Sequence, residues 1–159
     1  MIKQLDQSDI LLAVDVIRAS FLTVAEEMGI TEENCPRYVG FVTTVERLQT
    51  QLDWGWQQYG CFQDDKLVGY VSVSKESDGV FEIHNLAVLP NCRHKGYGKQ
   101  LLNYCALKIR ESGGNKINIS IVEENTVLKN WYLDYGFVHI GTKKFDHLPF
   151  TSGYMEMDI

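Results

Sequence analysis

Hydrophobic residues recur along the chain at helical spacing in four segments. The first segment follows Ser8, which can cap a helix, and the second opens on a capping-box pattern of Thr43 and Glu46. A third segment ends at Gly113-Gly114 and a fourth, over residues 127–135, ends before Gly136, because glycine commonly terminates helices. The apolar faces of the first three are Ile10, Leu11, Val14, Ile17 and Phe21; Val45, Leu48, Leu52 and Trp56; and Leu101, Leu102, Cys105, Ala106 and Ile109.

Segments rich in β-branched or alternating residues predict seven strands. Turns at 64–66 and 76–79 join three of them into an antiparallel meander, whereas residues 29–42 are interpreted as an irregular connection. The element order is β-α-α-β-β-β-α-β-α-β-β, which predicts a mixed α/β or α+β sheet in one domain over residues 1–159. The predicted strands cover residues 2–5, 61–63, 67–74, 80–88, 116–122, 137–145 and 154–159.

Charge and composition exclude several classes of protein. The formal net charge is −6, which argues against broad nucleic-acid binding and suits a cationic small substrate. The N-terminus lacks the apolar region of a signal peptide, and no apolar run is long enough to cross a membrane. The four cysteines form no C-x-x-C pair, so we expect no metal site and no disulfides. A cytoplasmic protein is therefore expected.

The segment 88–99, between a predicted strand and a predicted helix, is rich in glycine and positive charge. Gly96 and Gly98 allow the backbone to approach a ligand, and the free N–H groups of a helix N-terminus attract anions. Arg93, Lys95 and Lys99 add positive charge, which together predicts a phosphorylated ligand. The spacing is wrong for a Walker A loop, and a dinucleotide fingerprint needs a third glycine where Leu101 stands.

Two motifs resemble those of the GNAT family, the GCN5-related N-acetyltransferases. The family pattern Arg/Gln-x-x-Gly-x-Gly/Ala is matched by Arg93, Gly96 and Gly98. A second family segment, Asn-x-x-Ala-x-x-aromatic-Tyr-x-x-x-Gly-Phe, resembles the stretch from Asn125 through Tyr132 to residues 136–137. Leu128 replaces the usual small residue, a departure expected to affect helix packing. The predicted element order also resembles this fold over nearly the whole chain.

The resemblance implies a mixed, mostly antiparallel sheet with a splayed pair of parallel strands, flanked by about four helices. These two strands would end near Val88 and Val122, and the pantetheine arm of acetyl-CoA would lie between them. The resemblance assigns cofactor binding to the main chain of Leu86, Ala87 and Val88, to the pyrophosphate loop Arg93, His94, Lys95, Gly96, Tyr97, Gly98 and Lys99, and to Asn125.

The reaction implied is direct attack of an amine on a thioester, which needs a proton acceptor and a donor to the leaving thiolate. Tyr132 matches the family's tyrosine and is the predicted donor, although it could also be a core aromatic. The resemblance to the histone-acetylating branch of the family assigns the general base to Glu82, acting through water. A solvated strand carboxylate, an anchor for the substrate amine and water itself as the base are the alternatives. His84 is a rival base, and strand alternation places Glu82, His84 and Leu86 on one face unless a bulge intervenes. In the resembled fold the last hairpin loop borders the acceptor site, and His147 in that loop is interpreted as a loop residue, with a catalyst as the alternative.

The sequence therefore predicts an N-acetyltransferase that moves the acetyl group of acetyl-CoA to a primary amine of a small molecule or peptide. A module that binds acyl-CoA without turnover is the alternative. We expect neither nucleic acid nor a membrane as a partner. A homodimer is the oligomeric state to expect if the chain associates with itself, because dimers are common among homo-oligomers.

Overall fold

A computed structural model describes the whole sequence, Met1–Ile159, as a seven-stranded sheet flanked by helices. The strands are β1 (Ile2–Gln4), β2 (Gln57–Gln63), β3 (Lys66–Ser77), β4 (Val80–Val88), β5 (Lys116–Val122), β6 (Val138–Lys144) and β7 (Thr151–Asp158). They lie in the order β1-β2-β3-β4-β5-β7-β6, and every neighbouring pair except β4–β5 is antiparallel. The predicted fold class, mixed and mostly antiparallel with one parallel pair, is confirmed.

Five helices flank the sheet, one more than the sequence predicts. They are α1 (Ile10–Met28), α2 (Val39–Val42), α3 (Val45–Asp53), α4 (Tyr97–Glu111) and α5 (Thr126–Tyr135). The additional helix, α2, lies in the segment that was expected to be irregular. Its four residues are too few to show a helical period, and tertiary contacts stabilise it. The Tyr38 ring packs against Phe21 and Phe41, and its hydroxyl donates to the Phe21 carbonyl at 3.1 Å.

Two predicted helix caps are displaced by one or two residues. Asp6, rather than Ser8, accepts from the backbone N–H of Ser8 at 2.8 Å, and Asp9 accepts from the backbone of Asp6 at 3.1 Å. A short 3₁₀ turn therefore precedes α1. At α3 the cap is Thr44, whose hydroxyl accepts from the backbone of Arg47. The neighbouring Thr43, which follows α2, instead donates its hydroxyl to the carbonyl of Val39, the first residue of α2.

Hydrophobic cores lie on both faces of the sheet. One face packs against α4 and α5 and is the larger; it includes Leu101, Leu102 and Ile109. The other packs against α1 and α3 through residues such as Ile10, Ile17, Leu48 and Tyr70. Leu11 was predicted in this second face, which is wrong, because it is 63% exposed and lies outside the buried stripe of α1.

Strand β2 begins four residues earlier than the sequence predicts. Its first residues are glutamines, which lack a strand signature. Yet Gln58 is fully buried and its side-chain amide donates to the Leu48 carbonyl at 3.0 Å. Helix α3 ends at Asp53, so Trp56 does not belong to the helix face to which it was assigned. No helix of the fold is long and apolar enough to span a bilayer.

Candidate active site

The parallel strands β4 and β5 separate soon after they begin. Their pairing covers Val80 with Lys116 through Glu82 with Asn118 and then stops. From residue 83 onward β4 is held only by β3, on its other edge. The predicted splay is confirmed, and it leaves an opening between the carboxyl-terminal ends of β4 and β5.

A β-bulge changes the direction of side chains on β4 just beyond Glu82. His84 pairs with Ser72 and Ala87 pairs with Tyr70, so two β4 residues face one residue of β3 between these pairs. One of the two, Asn85, has a φ of +54°, in the left-handed region. Leu86 consequently packs against the larger core, and Ala87 belongs to the opposite core. The bulge that the sequence prediction allowed for is therefore present, and Leu86 does not share a face with Glu82 and His84.

The glycine-rich loop ends in an open helix N-terminus. His94 has a φ of +63° and Gly96 a φ of +86°, and α4 begins directly afterwards at Tyr97. No side chain caps this helix and no acidic residue lies in its first turn. The first backbone N–H groups of a helix have no partner within it, so those of α4 are available to an anion. His94, Lys95 and Lys99 are exposed around them.

Arg93 contacts the first helix of the fold. One guanidinium nitrogen, Nη2, donates to the Ser20 carbonyl at 3.1 Å, the Ser20 hydroxyl at 3.2 Å and the Thr23 hydroxyl at 2.9 Å. The predicted role of this arginine was a direct contact with phosphate. Its contacts tie the loop to α1, and they leave its other two guanidinium nitrogens without hydrogen bonds in the chain. The contact of Arg93 with phosphate stays a prediction. The Tyr97 hydroxyl is likewise engaged, with Gln63 at 3.1 Å.

The packing around Gly98 leaves room for a side-chain carbon. A Cβ atom placed there would make an ordinary van der Waals contact with the Trp131 ring, at 3.4 Å. Asn125 has a structural role, because its side-chain oxygen caps α5 by accepting from the backbone of Leu128 at 3.3 Å. Its side-chain NH₂ has no hydrogen bond within the chain and remains a donor for a ligand.

Tyr132 lies in the larger core, on the helix that follows β5. It is 6% exposed, and its ring makes edge contacts with Trp131 at 5.0 Å and Phe137 at 5.5 Å. Burial, and then the nearby Cys105 thiol, raise the pKa of Tyr132 well above that of an ordinary phenol. A raised pKa keeps the hydroxyl protonated at every physiological pH, so Tyr132 retains an O–H that can donate a hydrogen bond. Both sequence interpretations of this residue, core aromatic and donor, fit its position.

Glu82 belongs to a polar cluster on the sheet face that packs against α1. Its carboxyl lies 3.9 Å from Nδ1 of His84. One carboxylate oxygen each of Glu76 and Glu82 and one ring nitrogen of His84 lie within 4.8 Å of one another. Burial and the like charge of Glu76 raise the pKa of Glu82 to about 6. Burial lowers the pKa of His84, whose ring stacks on Trp56 at 4.2 Å. A carboxyl with such a pKa is a better base at neutral pH than an ordinary glutamate.

Sequence reasoning missed three members of this cluster, which are Glu76, Ser74 and Trp56. Glu76 follows a predicted strand in what was assigned as a turn, but β3 continues through it to Ser77. A second irregularity in the β3–β4 register, between Lys75 and Ser77, falls at Glu76. No local sequence pattern predicts that Glu76, two residues after Ser74, lies near Glu82. The proximity of the two carboxyl groups follows from the register of β3 and β4.

His147 is exposed in the loop between β6 and β7 and lies against Phe145, at 5.6 Å between ring centroids. The same loop sends Leu148 and Phe150 against a small separate core below the end of α1, formed by Ala25, Ile30, Cys35 and Tyr38. The last loop was predicted to border the acceptor site, and the structure brings it into contact with the segment after α1.

Comparison with known proteins agrees with this geometry. A family model described as the acetyltransferase (GNAT) family matches residues 26–137. The fold is similar to PaiA N-acetyltransferase from Thermoplasma acidophilum in complex with coenzyme A, with 21% identity and a TM-score of 0.83 over 100% of this chain and 98% of that one.

Two further solved structures share the fold. One is a ribosomal-protein-alanine N-acetyltransferase from Brucella melitensis, with 16% identity and a TM-score of 0.74 over 100% of this chain and 99% of that one. The other is an aminoglycoside 6'-N-acetyltransferase complexed with coenzyme A, with 18% identity and a TM-score of 0.75 over 99% of this chain and 96% of that one. Since the family model covers well over half of the chain, and the fold agrees along its length, the chain belongs to the GNAT acetyltransferase family.

Proposed function

We propose that this chain transfers the acetyl group of acetyl-CoA directly to a primary amine of a small molecule or a peptide. The observation that carries the proposal is the splay of β4 and β5 ahead of the uncapped N-terminus of α4, in a chain of the GNAT family. Two groups with opposite proton chemistry add to it. Glu82, at the last paired residue of β4, has a pKa raised to about 6. Tyr132, on the helix after β5, has a raised pKa and stays protonated.

The binding of acetyl-CoA would use main-chain groups more than side chains. The uncapped N-terminus of α4, at Gly96 to Lys99, supplies N–H groups for the pyrophosphate. The exposed ammonium groups of Lys95 and Lys99 add charge-assisted contacts. The β4 edge from Leu86 to Val88, unpaired towards β5, supplies hydrogen bonds for the pantetheine arm, and the free NH₂ of Asn125 supplies another.

Glu82 would take the proton that prevents the amine from attacking. An alkylamine has a pKa of roughly 10 and is mostly protonated at neutral pH. Glu82, with a pKa of about 6, is mostly ionised there and accepts a proton more readily than an ordinary carboxylate. The freed nitrogen lone pair forms the new C–N bond while the C–S bond breaks. The nitrogen then loses its second proton and the thiolate takes up one proton, which gives the amide and the coenzyme A thiol. Tyr132 donates its hydroxyl hydrogen bond to the departing thiolate.

The test is release of the coenzyme A thiol from acetyl-CoA across a panel of primary amines. A blank without amine must contain the protein, because Cys92 is partly exposed and would react with the thiol reagent. Release with one class of amine, lost in Glu82→Gln, is the expected result. Saturable acetyl-CoA binding by calorimetry without release for any amine would instead support a module that binds acyl-CoA without turnover.

A further inference from the structure

A chain of polar contacts leads from Glu82 to a carboxylate at the surface. The Ser74 hydroxyl donates to Oε1 of Glu76 at 2.6 Å and lies 2.8 Å from Nε2 of His84. The other ring nitrogen of His84, Nδ1, lies 3.9 Å from Oε1 of Glu82. Glu76 is exposed, whereas Ser74 is 6% exposed and only a fifth of the His84 side chain is. The contacts therefore run from the candidate base, through a mostly buried interior, to solvent.

The strand register produces this alignment. Ser74 lies opposite Glu82, and Ser72 lies opposite His84, so all four side chains project from one face of the β3–β4 pair. The irregularity between Lys75 and Ser77 adds Glu76 to the same face, where its carboxylate reaches the Ser74 hydroxyl.

The hydrogen-bond directions follow from the chemistry of the groups. An ionised carboxylate only accepts, so Ser74 must give its single hydrogen to Glu76. The Ser74 oxygen is then left to accept from His84, which places the proton of the neutral imidazole on Nε2. Nδ1 consequently carries a lone pair, and that lone pair is on the nitrogen nearest Glu82. Burial lowers the pKa of His84 and so favours this neutral form.

We propose that His84, Ser74 and Glu76 form a relay that carries the proton taken up by Glu82 to the surface. Protonated Glu82 gives its proton to Nδ1 of His84, and Nε2 gives its own to the Ser74 oxygen. Ser74 passes its hydroxyl proton to Glu76, which releases it to water. Exchange of the partly exposed imidazole with solvent then restores the Nε2–H form. The use of the relay in turnover rests on the proposed function, whereas the tautomer of His84 does not.

The surroundings of the relay hold its members in place. Trp56 stacks on the His84 ring with an interplanar angle of 13°, which restricts rotation of the imidazole. The charged groups within the cluster are Glu76 and Glu82, and the residue of β5 opposite Glu82 is the uncharged Asn118. The 3.9 Å separation from Glu82 exceeds a hydrogen bond, so proton transfer requires the Glu82 side chain, which is 26% exposed, to rotate towards Nδ1.

The first experiment determines the tautomer of His84 by ¹⁵N NMR of the full chain labelled at histidine, with His84→Gln for assignment. We expect the proton on Nε2 near pH 7.5 in the wild type, and a mixture of tautomers in Ser74→Ala. A proton on Nδ1 in the wild type would overturn the relay, whether or not any amine is acetylated. The tautomer of His84 therefore tests the relay whether or not the proposed function is correct.

The second experiment measures kcat at low and high buffer concentration with an amine that supports thiol release. Ser74→Ala and Glu76→Gln should each lower kcat about 10-fold at low buffer, and added imidazole should restore it, because a soluble base replaces the relay. Ser77→Ala and Asp78→Asn are the matched controls, an exposed serine at the end of β3 and an exposed carboxylate in the turn that follows, and both should leave kcat unchanged. Unchanged kcat in Ser74→Ala, or a loss that imidazole does not restore, would refute the relay.

Discussion

Replacing the candidate base by its neutral isostere should make the protein more stable and less active. Burial and the charge of Glu76 raise the pKa of Glu82 from 4.5 to about 6. Between these two pH values the folded state binds more protons than the unfolded state, so stability falls as pH rises through this window. The loss of folding stability caused by ionising Glu82 is complete above about pH 7, and it is absent at about pH 4, which lies below both pKa values.

The structure sets the size of this effect. A difference of about 1.5 between the two pKa values corresponds to about 2 kcal/mol. About a quarter of the Glu82 side chain is exposed, which adds solvent screening, so we expect about 1 kcal/mol. Glu82→Gln should therefore raise the free energy of unfolding by about 1 kcal/mol at pH 8 and leave it unchanged near pH 4. For a chain of this length the gain corresponds to about 2–4 °C in Tm.

Urea unfolding of both proteins at pH 4, 6 and 8, paired with turnover at pH 8, checks this prediction. Glu123→Gln is a control for which we expect the opposite change in the free energy of unfolding. The ion pair with Lys129, and then the hydrogen bond from His139, lower the pKa of Glu123. That replacement should destabilise the protein at pH 8 and have little effect at low pH. A Glu82→Gln protein that gains no stability at pH 8, or gains equally at pH 4, would refute the reasoning from charge.

Three further predictions concern the cofactor loop and the donor. Tyr132→Phe keeps the aromatic packing and should lower kcat about 100-fold with acetyl-CoA affinity unchanged by calorimetry; unchanged kcat would remove Tyr132 from the mechanism. Gly96→Ala forces a side chain onto a φ of +86° and should weaken acetyl-CoA binding, whereas Gly141→Ala, with open space around it, should not. Arg93→Ala removes the contacts to α1 and should cost about 1–3 kcal/mol of stability by thermal unfolding. Lys95→Ala should instead weaken binding alone, and equal stability losses would contradict this division of roles.

Local features of the sequence were sufficient for the fold class and the cofactor motif. Most strands and helices follow from residue periodicity, which reflects contacts only two to four residues apart. The loop from Arg93 to Gly98 is also local, because its glycines and the helix that follows are adjacent in the chain. The family match and the parallel strand pair agree with these predictions. The roles of Glu82 and Tyr132 remain predictions.

The tertiary structure decided which side chains meet. Arg93 contacts Ser20, 73 residues away, and no local pattern could reveal that its guanidinium binds a helix. One bulge in β4 turns Leu86 away from Glu82, and an irregularity in β3 brings Glu76 towards it. A strand register that slips by one residue moves a side chain to the opposite face of the sheet. The register depends on pairing between separate segments, so the environment of the base was determined only when the sheet assembled.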